Sequence, residues 1–145
     1  MTAKRTTAVM CLMLGMIECS RDAQETSSDE LAARAVVEST YTLRIGGGQG
    51  ISELKVMLWF DSLLSDNRCP ANIECVWEGN AEVLLALVSD VIGQRFTLNT
   101  SSRSGPTSFV FHDYCFSIDR LLPYPHLDSS YSVDDYILSV RIEKL

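Results

Sequence analysis

Basic residues are scarce and scattered in this chain. Its 145 residues hold 12 Lys and Arg against 19 Asp and Glu, a net charge of −7. No basic block stands out, so there is no electrostatic footprint for nucleic acid or for an anionic membrane surface. No run of eighteen apolar residues exists, so no segment is long enough to span a bilayer as a helix. Histidine occurs only at His112 and His126, and no Gly-x-Ser-x-Gly is present, which leaves little for a hydrolytic triad. The glycine cluster Gly46-Gly47-Gly48-Gln49-Gly50 does not continue as a nucleotide-binding fingerprint, and it reads as a flexible hairpin turn. The aspartates do not follow a calcium-loop spacing, and no cofactor is expected. Five cysteines are too few for a disulfide-dense mini-scaffold. At 46% hydrophobic and 21% charged the chain has the makings of a packed core.

The first nineteen residues read as an address. Lys4 and Arg5 precede an uncharged run from Ala8 to Ile17. As a helix that run would reach roughly 15 Å, half of a hydrocarbon core of about 30 Å. It fits a signal h-region, with a buried core helix as the bland alternative. Cys19 follows and polar residues come next, the layout of a lipoprotein signal in which the cut falls before a lipid-bearing cysteine. Met16, Ile17 and Glu18 stand where small residues are usual, and Cys11 sits mid-run. Ordinary cleavage near Cys19 or Ser20 and an uncleaved anchor are the other two outcomes. Without residues 1–19 the chain keeps 10 basic and 18 acidic residues, a charge of −8.

Residues 20–39 are polar and read as a tether. Ser27 and Glu30 match a capping box for a short helix over 31–38, marginal on its own. From Thr40 the texture changes to short β-rich runs. Tyr41, Leu43 and Ile45 alternate with polar residues, as do Leu54, Val56, Leu58 and Phe60 with the residues between them. Ala81–Val88 is more continuously apolar and reads as a buried central strand. Phe96 and Leu98 mark another strand, Phe109–Ile118 alternates as one run, and Tyr136–Ile142 closes the chain. Pro123 and Pro125 argue against a central strand over 121–126. Six to eight strands without a helical period predict an all-β domain over residues 40–145, an antiparallel sandwich or small barrel. A single domain is expected, and a monomer.

The distinctive stretch runs from Asp66 to Asn80. Cys69 and Cys75 close a loop of seven residues, stiffened by Pro70. An exported chain meets an oxidising compartment, so a disulfide is the leading reading, with zinc as its rival. His112 and Cys115 would complete four ligands, although alternation along one strand sets them on opposite faces. Otherwise Cys115 reads as a buried thiol packing as a small hydrophobe. Trp77, two residues past Cys75, is placed to pack by the bridge, and Gly79 lets the chain turn. Asn99-Thr100-Ser101 is a chance glycosylation sequon unless the host is eukaryotic.

Asp66, Arg68, Cys69, Pro70, Cys75, Trp77 and Gly79 together resemble the signature of a family of uncharacterised bacterial envelope proteins, many of them lipoproteins. That pattern runs Asp-Ser-Arg-Cys-Pro, four residues, Cys, one residue, Trp, one residue, Gly. Leu98-Asn99-Thr100 and Leu122-Pro123-Tyr124-Pro125 resemble its downstream segments, so the likeness covers residues 40–144. Asn67 replaces the serine, and Glu78 replaces a small residue, which predicts an exposed side chain there. The resemblance implies an envelope β-domain and carries no catalytic residues. The expected protein is a cell-envelope or secreted β-domain, anchored by lipid on Cys19 or released to the periplasm or medium. It would serve a binding or structural role toward a protein or small-molecule ligand, and touch membrane only through its lipid. A zinc- or copper-binding protein or enzyme is the alternative.

Overall fold

The computed structural model describes residues 38–145. The readings placed on the signal segment, on Cys11 and Cys19 and on the Ser27–Glu30 capping box lie outside the described residues. Eight strands follow in order: β1 (Glu38–Arg44), β2 (Gly48–Ile51), β3 (Val56–Asp66), β4 (Ala81–Val88), β5 (Gly93–Asn99), β6 (Ser108–Phe111), β7 (Tyr114–Leu122) and β8 (Ile137–Lys144). One 3₁₀ turn, Val133–Asp135, precedes β8. The strands form two four-stranded antiparallel sheets, ordered β1-β8-β7-β6 and β2-β3-β4-β5. The expected all-β architecture is therefore a sandwich.

Side-chain alternation explains the core. Val56, Leu58 and Phe60 of β3 and Leu138, Val140 and Ile142 of β8 turn inward, while Met57 between them is exposed. Leu58, Phe60, Leu85, Phe116, Leu138 and Val140 are fully buried where the sheets meet. Each such side chain contributes on the order of 1.5–3 kcal/mol through burial. β4 reads as a nearly unbroken apolar run because β3 and β5 flank it on both sides. Where β5 and β6 approach each other, Phe96, Phe109 and Phe116 stack at centroid separations of 3.7 and 4.8 Å. The stack joins one sheet to the other along that margin.

Four expectations are corrected by local physics. The Phe109–Ile118 run is two strands, because His112 and Asp113 form a two-residue hairpin turn with Phe111 opposite Tyr114. His112 takes a φ of 51° there, a conformation that sequence readings assign to glycine or asparagine. The glycine cluster is no hairpin: its first residues carry the chain from one sheet to the other, and Gly48, Gln49 and Gly50 pair with β3. Gly48 lies under the Trp59 ring, where an added Cβ would sit 2.6 Å from the indole. Leu121 and Leu122 belong to β7, a central strand, which ends where Pro123 removes the next donor. Finally, β1 starts at Glu38, so Glu38 and Ser39 pair with β8 and belong neither to the tether nor to a helix over 31–38.

Candidate functional site

Beyond β3 and β4 the hairpin continues. Asn67 and Asn80 exchange backbone hydrogen bonds, and the Cys69 amide donates to the Glu78 carbonyl at 2.9 Å. The residues between fold over as a loop, closed by the Cys69–Cys75 disulfide with Cα atoms 6.0 Å apart. Gly79 takes a φ of 74° against the opposing strand, and a Cβ there would stand 2.1 Å from the Asn67 carbonyl oxygen. A side chain at 79 would therefore break the pairing that carries the loop.

Asp66 and Arg68 lie two residues apart on one face of this extension, so both turn inward. Arg68 donates from Nε and Nη2 to the two carboxylate oxygens of Asp66, at 2.8 and 2.6 Å. Their side chains are 7% and 6% exposed, a buried bidentate pair. The remaining reach of the guanidinium goes to the β7–β8 connection. Nη1 donates to the Leu121 carbonyl and Nη2 to that of Pro123, at 2.7 and 2.8 Å. The Tyr124 ring lies 4.9 Å from the guanidinium carbon, within cation–π range. The Tyr136 hydroxyl donates to Asp66 at 2.9 Å. Burial works to raise the Asp66 carboxyl, but the hydrogen bonds and charge of Arg68 outweigh it and hold the group below its ordinary range. Burial and then the Asp66 hydrogen bond and charge push the Tyr136 hydroxyl up.

Arg68 thus fastens two loops together, and three more contacts do the same, one of them from Asn72 Nδ2 to Asp128 Oδ2 at 3.3 Å. The Ala71 amide donates to the Pro125 carbonyl, and the Leu127 amide to Asn72 Oδ1, both at 2.9 Å. A third connection joins the same end. Asn80 donates to Asn99 Oδ1 at 2.7 Å and accepts from the Ser101 amide, and the Ser101 hydroxyl donates to Glu78. Asn99 is 6% exposed, so the sequon asparagine is a buried structural group. Sequence reasoning missed Tyr136, Asn80, Asn99 and Ser101, because their partners lie 19 to 70 residues away. The only local trace was the polar run Asn99-Thr100-Ser101 at the end of a strand.

The outer surface of this end is apolar. Thirteen large hydrophobic side chains are exposed among the described residues, and eight of them gather at this end: Ile73, Val76, Trp77, Tyr124, Leu127, Tyr131 and Val133 on the two loops, and Leu122 at the end of β7. Single exposed hydrophobics are ordinary, whereas such a concentration at one end is not. Val76 is fully exposed, and Trp77, expected to pack by the bridge, is left 54% exposed. An open groove of about 560 Å³ runs along Leu122, Tyr124, His126, Tyr131, Asp135 and Ile137. A second open depression, about 420 Å³, lies at the far end of β3 and β4 among Ile51, Lys55, Met57 and Asp90.

The motif residues Asp66, Arg68, Cys69, Pro70, Cys75, Trp77 and Gly79 are therefore brought together at one end, with Glu78 exposed as expected. The zinc set is not brought together. Cys69 and Cys75 spend their sulfurs on each other, His112 is an exposed turn residue, and Cys115 is buried in β7 and disulfide-bonded, so its thiol reading does not hold. Among the described residues no three His, Cys, Asp or Glu side chains converge as metal ligands. Comparison with protein-family models, curated proteins and solved structures finds no match to this chain.

Proposed function

We propose that this chain is an exported cell-envelope protein whose β-sandwich is a binding module, displayed on the polar tether and working through the end that carries the Cys69–Cys75 loop. One observation carries the binding role: two loops, pinned together by a buried Arg68, hold seven exposed hydrophobic side chains on one end of the sandwich, with Leu122 of β7 beside them. Loops held on a rigid scaffold are the usual place for recognition, and pre-ordering them lowers the entropy lost on binding. Export is supported by the signal-like start, the resemblance to envelope proteins and the disulfide. Anchoring through lipid on Cys19 is supported by the position of that cysteine between apolar run and tether.

Site-specific photocrosslinking in cells tests the binding role. A crosslinker at Trp77 or Leu127 is expected to give a discrete adduct, and one at Met57, beside the far depression, none. Equal labelling at both ends overturns the reading. Mass measurement of the mature N-terminus tests the anchor and is expected to find diacylglycerol on Cys19. A mature N-terminus without lipid on Cys19 overturns lipidation.

A further inference from the structure

The exposed formal charge on the two loops of the apolar end is of one sign. The β3–β4 and β7–β8 loops carry Glu74, Glu78, Asp128, Asp134 and Asp135, and neither loop has a lysine or an exposed arginine. Arg68 is buried and neutralised by Asp66. The exposed cations near this end lie outside the loops: Arg120 on β7, two residues before Leu122, and Arg103, whose amide donates to the Ser101 that holds Glu78.

We infer that this end docks a polypeptide segment whose apolar side chains are flanked by lysine or arginine. The inference rests on the binding reading above and names its partner class. Apolar side chains on the partner would cover Val76, Trp77 and Leu127, and its cations would meet the acidic rim. A second copy would bring five carboxylates against five, and an anionic bilayer would be repelled by the same groups. The groove is open rather than enclosing, which suits an extended chain better than a small molecule that needs most of its surface covered. Tyr124 and Tyr131 line it, and tyrosine is among the side chains that anchor such contacts.

The test uses the full-length chain and two synthetic peptides of alternating leucine with lysine or with glutamate, titrated by NMR on loop amides. The lysine peptide is expected to bind at least about tenfold more tightly than the glutamate peptide, and to weaken several-fold as salt shortens the screening length. The double variant Val76→Ser/Leu127→Ser keeps the rim charges and is expected to lose about tenfold in affinity, a typical loss for apolar anchors. The double variant Glu74→Lys/Asp134→Lys should reverse the peptide preference while leaving the fold intact, since both side chains are exposed. Equal affinity for the two peptides, lost in Val76→Ser/Leu127→Ser, overturns the charge inference and leaves the binding end standing. Binding that ignores Val76 and Leu127 overturns both. Self-association in sedimentation, or retention on anionic vesicles, overturns the partner class.

Discussion

Asp66 and Arg68 are the pair on which the end depends. Arg68 donates to a carboxylate two residues away and to carbonyls 53 and 55 residues away, so one side chain joins local and distant structure. Removing one partner leaves a buried charge unpaired. Asp66→Asn is expected to destabilise the fold by about 3–5 kcal/mol in denaturant titration. Replacing both, as in Asp66→Leu/Arg68→Met, should recover part of that loss, and a double-mutant cycle measures the coupling. The pH dependence has a definite sign at each end. The Asp66 carboxyl is depressed in the folded state, so its contribution is complete above the unfolded value of about 3.9 and drains away as pH falls through the lower folded value. The Tyr136 hydroxyl is raised, so its contribution is complete below about 10 and is lost as pH rises through the higher folded value. Thermal melts should fall off on both flanks, and Tyr136→Phe should flatten the alkaline one. Sequence spacing put Asp66 and Arg68 on one face, but nothing near either residue named Tyr136 or the carbonyls of Leu121 and Pro123.

Among the elements, the disulfide loop is the one whose chemistry was legible. Two cysteines six positions apart behind a signal-like start pointed to a bridge, and Cys69 and Cys75 form it. In the chain-entropy view a seven-residue loop contributes about 2.4 kcal/mol. Cys69→Ala/Cys75→Ala is expected to lower the unfolding free energy by roughly that amount. Gly79→Ala should cost more than the about 1–2 kcal/mol of a left-handed residue, because its methyl meets the Asn67 carbonyl. Strands β1, β3, β4 and β8 were legible because each buries one face or both. The β6–β7 hairpin was hidden, because alternation runs through His112 and Asp113 without a turn signature. The fate of the glycine cluster was hidden as well: only the Trp59 ring above Gly48 reveals why a strand there is written in glycine.

For the whole molecule, the composition limited the partners before the fold was known. Five carboxylates, Glu74, Glu78, Asp128, Asp134 and Asp135, stand on the two loops of the apolar end. The sandwich supplies the scaffold, and three connections at one end supply the surface. The sheets' layering was readable from alternation, but which loops meet was not, since that follows from strand order. Whether the disulfide loop and the β7–β8 loop move as one body is read most directly by amide hydrogen exchange of the full chain, oxidised against Cys69→Ala/Cys75→Ala. Opening one loop should release both: exchange at Ala71 and Leu127 should quicken together, while Leu85 and Phe116 in the core stay slow. Faster exchange at Ala71 with Leu127 unchanged would contradict the joined end.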